Sequence, residues 1–222
     1  MRFLLRRLTW SMPVLIVHLL DAQSVPSRTG RRVLLPRDSE VALARSAAPP
    51  SVSALARILI FADTAFVVAD SGTNGVTCVV NRSWPNSVEP HCFDAEASAS
   101  ILPMELRRTV LYHEGRSEAE VSRIIGIGLE KGVFRLPRRP AMSFMMSDAQ
   151  RLVGDDGVPA GHWRPHIMVY YPYLTGRELG LASTPDMAVG MVADEGGPFA
   201  SIMIIVPGFV TLRSLGAVRS AP

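Results

Sequence analysis

The chain has 222 residues, 23 basic and 20 acidic side chains, and a formal net charge of +3. From Arg57 onward the balance is 15 basic to 17 acidic. The alkaline character therefore belongs to the N-terminal end, and a domain with no net basic excess excludes nucleic acid as the expected partner.

At the N-terminus, Arg2, Arg6 and Arg7 precede a charge-free apolar stretch from Leu8 to Leu20, which Asp21 ends. Ala22-Gln23-Ser24 follows with small residues at the spacing a signal peptidase reads. This three-part pattern predicts a signal peptide over 1–24, cleaved after Ser24. At ~1.5 Å per residue the stretch spans roughly 20 Å, short of the ~30 Å hydrocarbon core. An uncleaved anchor is the alternative, and membrane contact is expected only through it. The residues after Arg6-Arg7 do not support a twin-arginine signal. Lys131 is the single lysine among the 23 basic residues, a usage that fits a GC-rich bacterial genome. Export then means a periplasmic or extracellular destination.

Residues 25–56 are rich in Arg, Ser and Pro and read as a flexible linker or arm. A short helix is allowed from a Ser39 cap over Glu40–Ala44, before the break at Pro49-Pro50. A single domain is expected over 57–209, with a C-terminal tail over 210–222. It opens with strands at 57–61, 65–69 and 76–80, and the Asn74-Gly75 turn between the last two suggests an antiparallel meander. Residues 81–90 read as a loop. Helical spacing follows over 95–112, interrupted or begun at Pro103. Ser117 and Glu120 form the signature of a capping box, opening a helix that Gly132 ends. Strands return at 141–146, 167–171 and 201–206; the last is too short to span a membrane. The class is α+β, with a mostly antiparallel sheet and a helical pair packed on one face.

Cys78 and Cys92 are the only two cysteines. In an oxidising compartment the pair is most simply a disulfide. The competing reading makes Cys92 a nucleophile beside His91, but neighbours on an extended chain point to opposite faces. His162 and His166 stand four apart, a metal-binding spacing on a helix. Pro165 disfavours helix there, and on a strand the two would lie about 13 Å apart, so no metal site and no cofactor are expected. Ser143, with His162 or His166, is the candidate catalytic set for a hydrolase, although no Gly-x-Ser-x-Gly elbow presents the serine. Met142, Phe144 and Met146 alternate along one strand face. With Trp163 and Tyr170 they are the candidate ligand groove, against the plainer reading as core.

The segments Gly72–Cys78, Glu89–Asp94, Arg139–Met146 and Pro165–Met168 resemble an uncharacterised family of exported bacterial proteins. The resemblance implies a shared fold over about 57–207 and a shared site around those segments. That family has no established activity, so it brings no function with it. The residues favour an exported binding or interaction module for an unknown small molecule or protein. The alternative is an exported hydrolase using Ser143 and His166.

Overall fold

In a computed structural model, the described residues are 34–82, 87–153, 158–181 and 191–212. The signal peptide read over 1–24, the first part of the 25–56 arm and most of the 210–222 tail lie outside them. The described chain is α+β. An eight-stranded mixed sheet, mostly antiparallel, is built from β1 (Arg57–Ala62), β2 (Ala65–Asp70), β3 (Thr77–Asn81), β4 (Glu89–Phe93), β5 (Ala141–Met145), β8 (His166–Tyr170), β9 (Met191–Ala193) and β10 (Ser201–Ile205). Its order is β2-β1-β3-β4-β5-β8-β10-β9, and β6 (Leu152–Val153) and β7 (Pro159–Gly161) make a separate small ribbon.

The opening strands do not form the expected meander. β1 and β2 are an antiparallel hairpin, but β3 pairs with β1 and runs parallel to it. The six residues 71–76 carry the chain across the start of β1, with Thr73 N–H donating to the Leu55 carbonyl and Arg57 N–H to that of Val76. This crossing needs Gly72, which sits at φ 61; a Cβ there would lie 2.1 Å from the Arg57 nitrogen. The turn chemistry is visible in the sequence, but its use as a crossing is a tertiary matter. The stretch 81–90 also differs from its reading as a loop, because its last residues begin β4. Pro90 is accommodated opposite Val80.

Alternation along the strands sorts side chains onto two faces. Val79 and Phe93 join the core beneath α3 (Ala95–His113) and α4 (Glu118–Glu130). Ile58, Ile60, Cys78, Val80 and Cys92 form the opposite core with α1 (Arg37–Ser46), which contributes Ala44. A four-residue helix, α2 (Pro50–Ser53), links α1 to the sheet. Helices thus cover both faces, and from Arg37 the presumed arm is packed structure. Its low hydrophobicity misled because α1 buries small and polar residues: Glu40, Ala44 and Ser46.

Asp94 caps α3 by accepting from Ala97 N–H, and Pro103 sits inside that helix. Ser117 and Glu120 form the expected capping box on α4, and Gly132 is left-handed just beyond the helix. The Cys78–Cys92 disulfide is formed between residues directly opposite each other on β3 and β4.

One buried ion pair fastens α1 to the sheet. Glu40 and Arg82 are each 1% exposed. Arg82 Nη2 donates to Glu40 Oε2 at 2.6 Å and Nη1 to Oε1 at 3.0 Å. The Phe61 backbone N–H also donates to Oε1, at 2.9 Å, and Arg82 Nη1 donates to the Val80 carbonyl. Breaking one partner of such a pair costs ~3–5 kcal/mol, because the other charge stays buried. Glu40→Ala should therefore lower the urea midpoint by that amount without changing the slope, and the Glu40→Met/Arg82→Met double variant should lose less. An unaffected midpoint in Glu40→Ala would remove the pair as the fastening.

Candidate functional site

The sheet face under α3 carries an unusual set of side chains for an interior. Asn81 ends β3, Glu89 lies opposite it on β4, and His91 is two residues further along the same face. On β5 and β8, Met145 pairs with His166, and Ala141 pairs with Tyr170. Above them α3 places Glu105, Arg108 and Tyr112 at offsets of three and four, one helix face, and Glu118 opens α4. Trp163, Asp194 and Phe199 close the sides. Together with Met168 and Met203 these residues, Ala141 excepted, line a cavity of about 310 Å³. An outer groove of about 930 Å³ runs along α4 and shares Arg108, Glu118, Asp194 and Phe199 with the cavity.

The floor holds two imidazoles. His91 is 4% exposed, and its Nδ1 is 3.1 Å from Asn81 Nδ2. Its Nε2 and Asn81 Oδ1 are buried with no hydrogen-bond partner among the described residues. Burial, reinforced by the neighbouring His166, holds the His91 imidazole down at about 3. At neutral pH it is uncharged, so with Asn81 Nδ2 donating to Nδ1 the proton sits on Nε2. One donor, at His91 Nε2, and one acceptor, at Asn81 Oδ1, are left without partners. Turning the Asn81 amide over exchanges the two roles and leaves the same complementary pair.

His166 is also buried and its pKa is lowered, chiefly by burial. Its Nδ1 donates to the Arg164 carbonyl at 2.6 Å, which leaves the lone pair on Nε2. Above, Arg108 pairs with Glu105 at 3.1 Å and lies over the Phe199 ring, 5.0 Å from its centroid. Burial raises the Glu105 pKa against the pull of Arg108, and burial raises that of Tyr112. The Tyr112 hydroxyl donates to Glu118. The arrangement can bind a polar group and can accept a proton at His166. Among the described residues it brings no serine or threonine hydroxyl into the cavity.

The sequence candidates are divided by this geometry. Ser143 is fully buried, its hydroxyl is bonded to Tyr170 at 3.1 Å, and it does not line the cavity. His166 does line it, whereas His162 stands exposed on the segment before β8. Trp163 and Tyr170 are cavity residues. Met142, Phe144 and Met146 are not: alternation turns them to the other face of β5, where Phe144 packs in the α1-side core. The residues of β5 on the cavity face have the opposite parity, Met145 among them. Among the described residues no group of three His, Cys, Asp or Glu side chains is placed to hold a metal. Cys92 faces away from His91, as expected for adjacent strand residues.

The sequence reading passed over Asn81, His91, Glu105, Arg108 and Tyr112 as site residues. Their signal was weak but present: a polar i, i+3, i+7 set on α3, and the polar alternation Glu89-x-His91. No family model, curated protein or solved structure matches the chain.

A histidine held below its ordinary value is protonated in the unfolded chain before the folded one. Its contribution to stability is whole above about pH 6.5 and is lost as pH falls from there toward 3, at ~1.4 kcal/mol per pH unit. His166 acts in the same direction. Urea midpoints should therefore fall between about pH 7 and pH 5, above the usual carboxylate range, and less steeply in His91→Gln. An identical slope in that variant would assign the loss elsewhere.

Proposed function

We propose that this is an exported binding module whose cavity between α3 and the sheet takes a small molecule. The observation that carries the reading is the orphaned pair, His91 Nε2 and Asn81 Oδ1, buried in residues that line the cavity. Leaving such groups unsatisfied costs ~1–3 kcal/mol each, a cost that a bound polar group recovers once a turn of either side chain brings the atom to the cavity surface. A cavity of about 310 Å³ is at the lower end of the usual range for small-molecule sites. Its walls combine thioether, aromatic and hydrogen-bonding groups, as such sites do.

Export is part of the proposal. The Cys78–Cys92 disulfide favours an oxidising compartment, and the leader-like start of the sequence agrees with one. No helix among the described residues is long and apolar enough to cross a membrane. The resemblance to exported bacterial proteins points the same way.

The hydrolase with Ser143 and His166 has less support, because the Ser143 hydroxyl is engaged by Tyr170 outside the cavity. A fluorophosphonate probe should leave Ser143 unlabelled by mass spectrometry. An adduct there that His166→Ala abolishes would restore the hydrolase.

The binding reading is tested with a fragment library, using melting temperature and Trp163 emission as readouts. Fragments that raise the melting temperature of the native chain should fail to do so in Met168→Trp, which fills the cavity floor. Equal responses from a folded Met168→Trp would place binding elsewhere and overturn the reading.

A further inference from the structure

We propose that the groove between β2 and α3 docks an extended peptide segment of a partner protein. The segment adds to the free side of β2 as a further strand. It carries apolar side chains at alternate positions and an acidic side chain at one end. This site is separate from the His91 cavity and does not depend on what that cavity takes.

The backbone supplies the first argument. β2 ends the sheet, so among the described residues one side of it meets no other strand. Ala62 and Ala65 flank the two-residue turn of the β1–β2 hairpin, followed by the pairs Phe61–Phe66 and Ile60–Val67. The pair that closes such a turn is hydrogen-bonded, and along the ladder bonded and unbonded pairs alternate. Ala65 and Val67 therefore bond to β1, while Phe66 and Val68 turn their N–H and C=O groups outward. From Ala65 to Ala69 the strand has no charge and no proline, the usual guards of an edge. Val67 and Val68 are 45% and 51% exposed. Donors and acceptors at this spacing are matched by another extended backbone, not by a helix, whose own backbone groups are already paired.

The groove supplies the second. It has a volume of about 660 Å³, with Phe66 and Val68 on its β2 side and Leu102 and Leu106 on its α3 side. Side chains of an added strand alternate between faces, so every second one leans over Phe66 and Val68 toward the groove.

Charge names the end of the segment. Arg57 is the only charged side chain lining the groove, and its guanidinium has no ion-pair partner among the described residues. Asp70 lies near that end, but the register shift after Val68 pairs it with Ile58, and Arg45 holds its carboxylate. A lone cation at one end of an apolar groove is complemented by an acidic group there. A second copy of this chain fits less well. Two β2 strands paired antiparallel about a two-fold axis carry each Asp70 to the Ala65 end of the other, away from Arg57.

The probe is the acetylated, amidated hexapeptide Asp-Thr-Val-Thr-Val-Thr, titrated into the purified, isotope-labelled, disulfide-bonded chain and followed by amide shifts in two-dimensional NMR. The amides of Phe66 and Val68 should shift. The same peptide with Asn in place of Asp should bind at least about fivefold more weakly. Arg57→Gln, an exposed position at the start of β1, should bring the two peptides to equal affinity. Methylating the backbone nitrogens of both valines should abolish binding, because those nitrogens would donate to β2. Unmoved Phe66 and Val68 amides overturn the proposal, as does binding that survives methylation or a preference for the acidic peptide that persists in Arg57→Gln. Shifts of the same two amides with protein concentration alone would assign the edge to a second copy and overturn it as well.

Discussion

Residues 78 and 92 face each other across β3 and β4, and their sulfurs are joined. That bond lies on the α1 side of the sheet, yet it fixes what happens on the other side. With Cys78 opposite Cys92, Asn81 must fall opposite Glu89 and Val79 opposite His91. A slip of one residue would turn every side chain of the pair to the wrong face. The covalent link therefore holds the register on which the Asn81–His91 contact depends. In the chain-entropy account, closing a loop of about 15 residues also stabilises the fold by ~3 kcal/mol.

The two sides of the sheet handle buried polarity in opposite ways. On the α1 side the Glu40 carboxylate receives three donors, from Phe61 and from both terminal nitrogens of Arg82. Nothing is left open, and the interaction is structural. On the α3 side His91 and Asn81 satisfy each other once and then stop. Helix packing supplies the difference. α1 lies directly against β1, β3 and β4, whereas the C-terminal half of α3 faces the cavity with Glu105, Arg108 and Tyr112. The last turns of that helix roof the space where a completed core would have leucines.

Local rules carried most of the elements. The α4 capping box, the left-handed Gly132, the hairpin of β1 and β2, and the strands at 141–145 and 201–205 all follow from residue type and spacing. The disulfide follows from the cysteine count and the expectation of an oxidising compartment. What did not follow were relations between distant segments. The Asn74-Gly75 turn suggests a meander, and only the nearness of Gly72 to the Arg57 backbone reveals a crossing. Pro90 disguised β4 as loop, which hid the strand that carries His91. For the site, the Met142–Met146 alternation was real, but the choice of face depended on α1, whose polar sequence concealed that it packs at all. Ser143 and His166 are on the same sheet face, but Tyr170 takes the serine hydroxyl.

The Glu40 attachment also bears on how far the polypeptide can be trimmed from its front end. Maturation after Ser24 would leave α1 intact, as would any cut ahead of Pro36. A shortened chain beginning at Arg57, where the sequence places the start of the domain, would strip the cover from Ile58, Ile60 and Val80 and strand the Arg82 guanidinium among them. Among the described residues, the packed structure therefore reaches back at least to a carboxylate well upstream of the first strand.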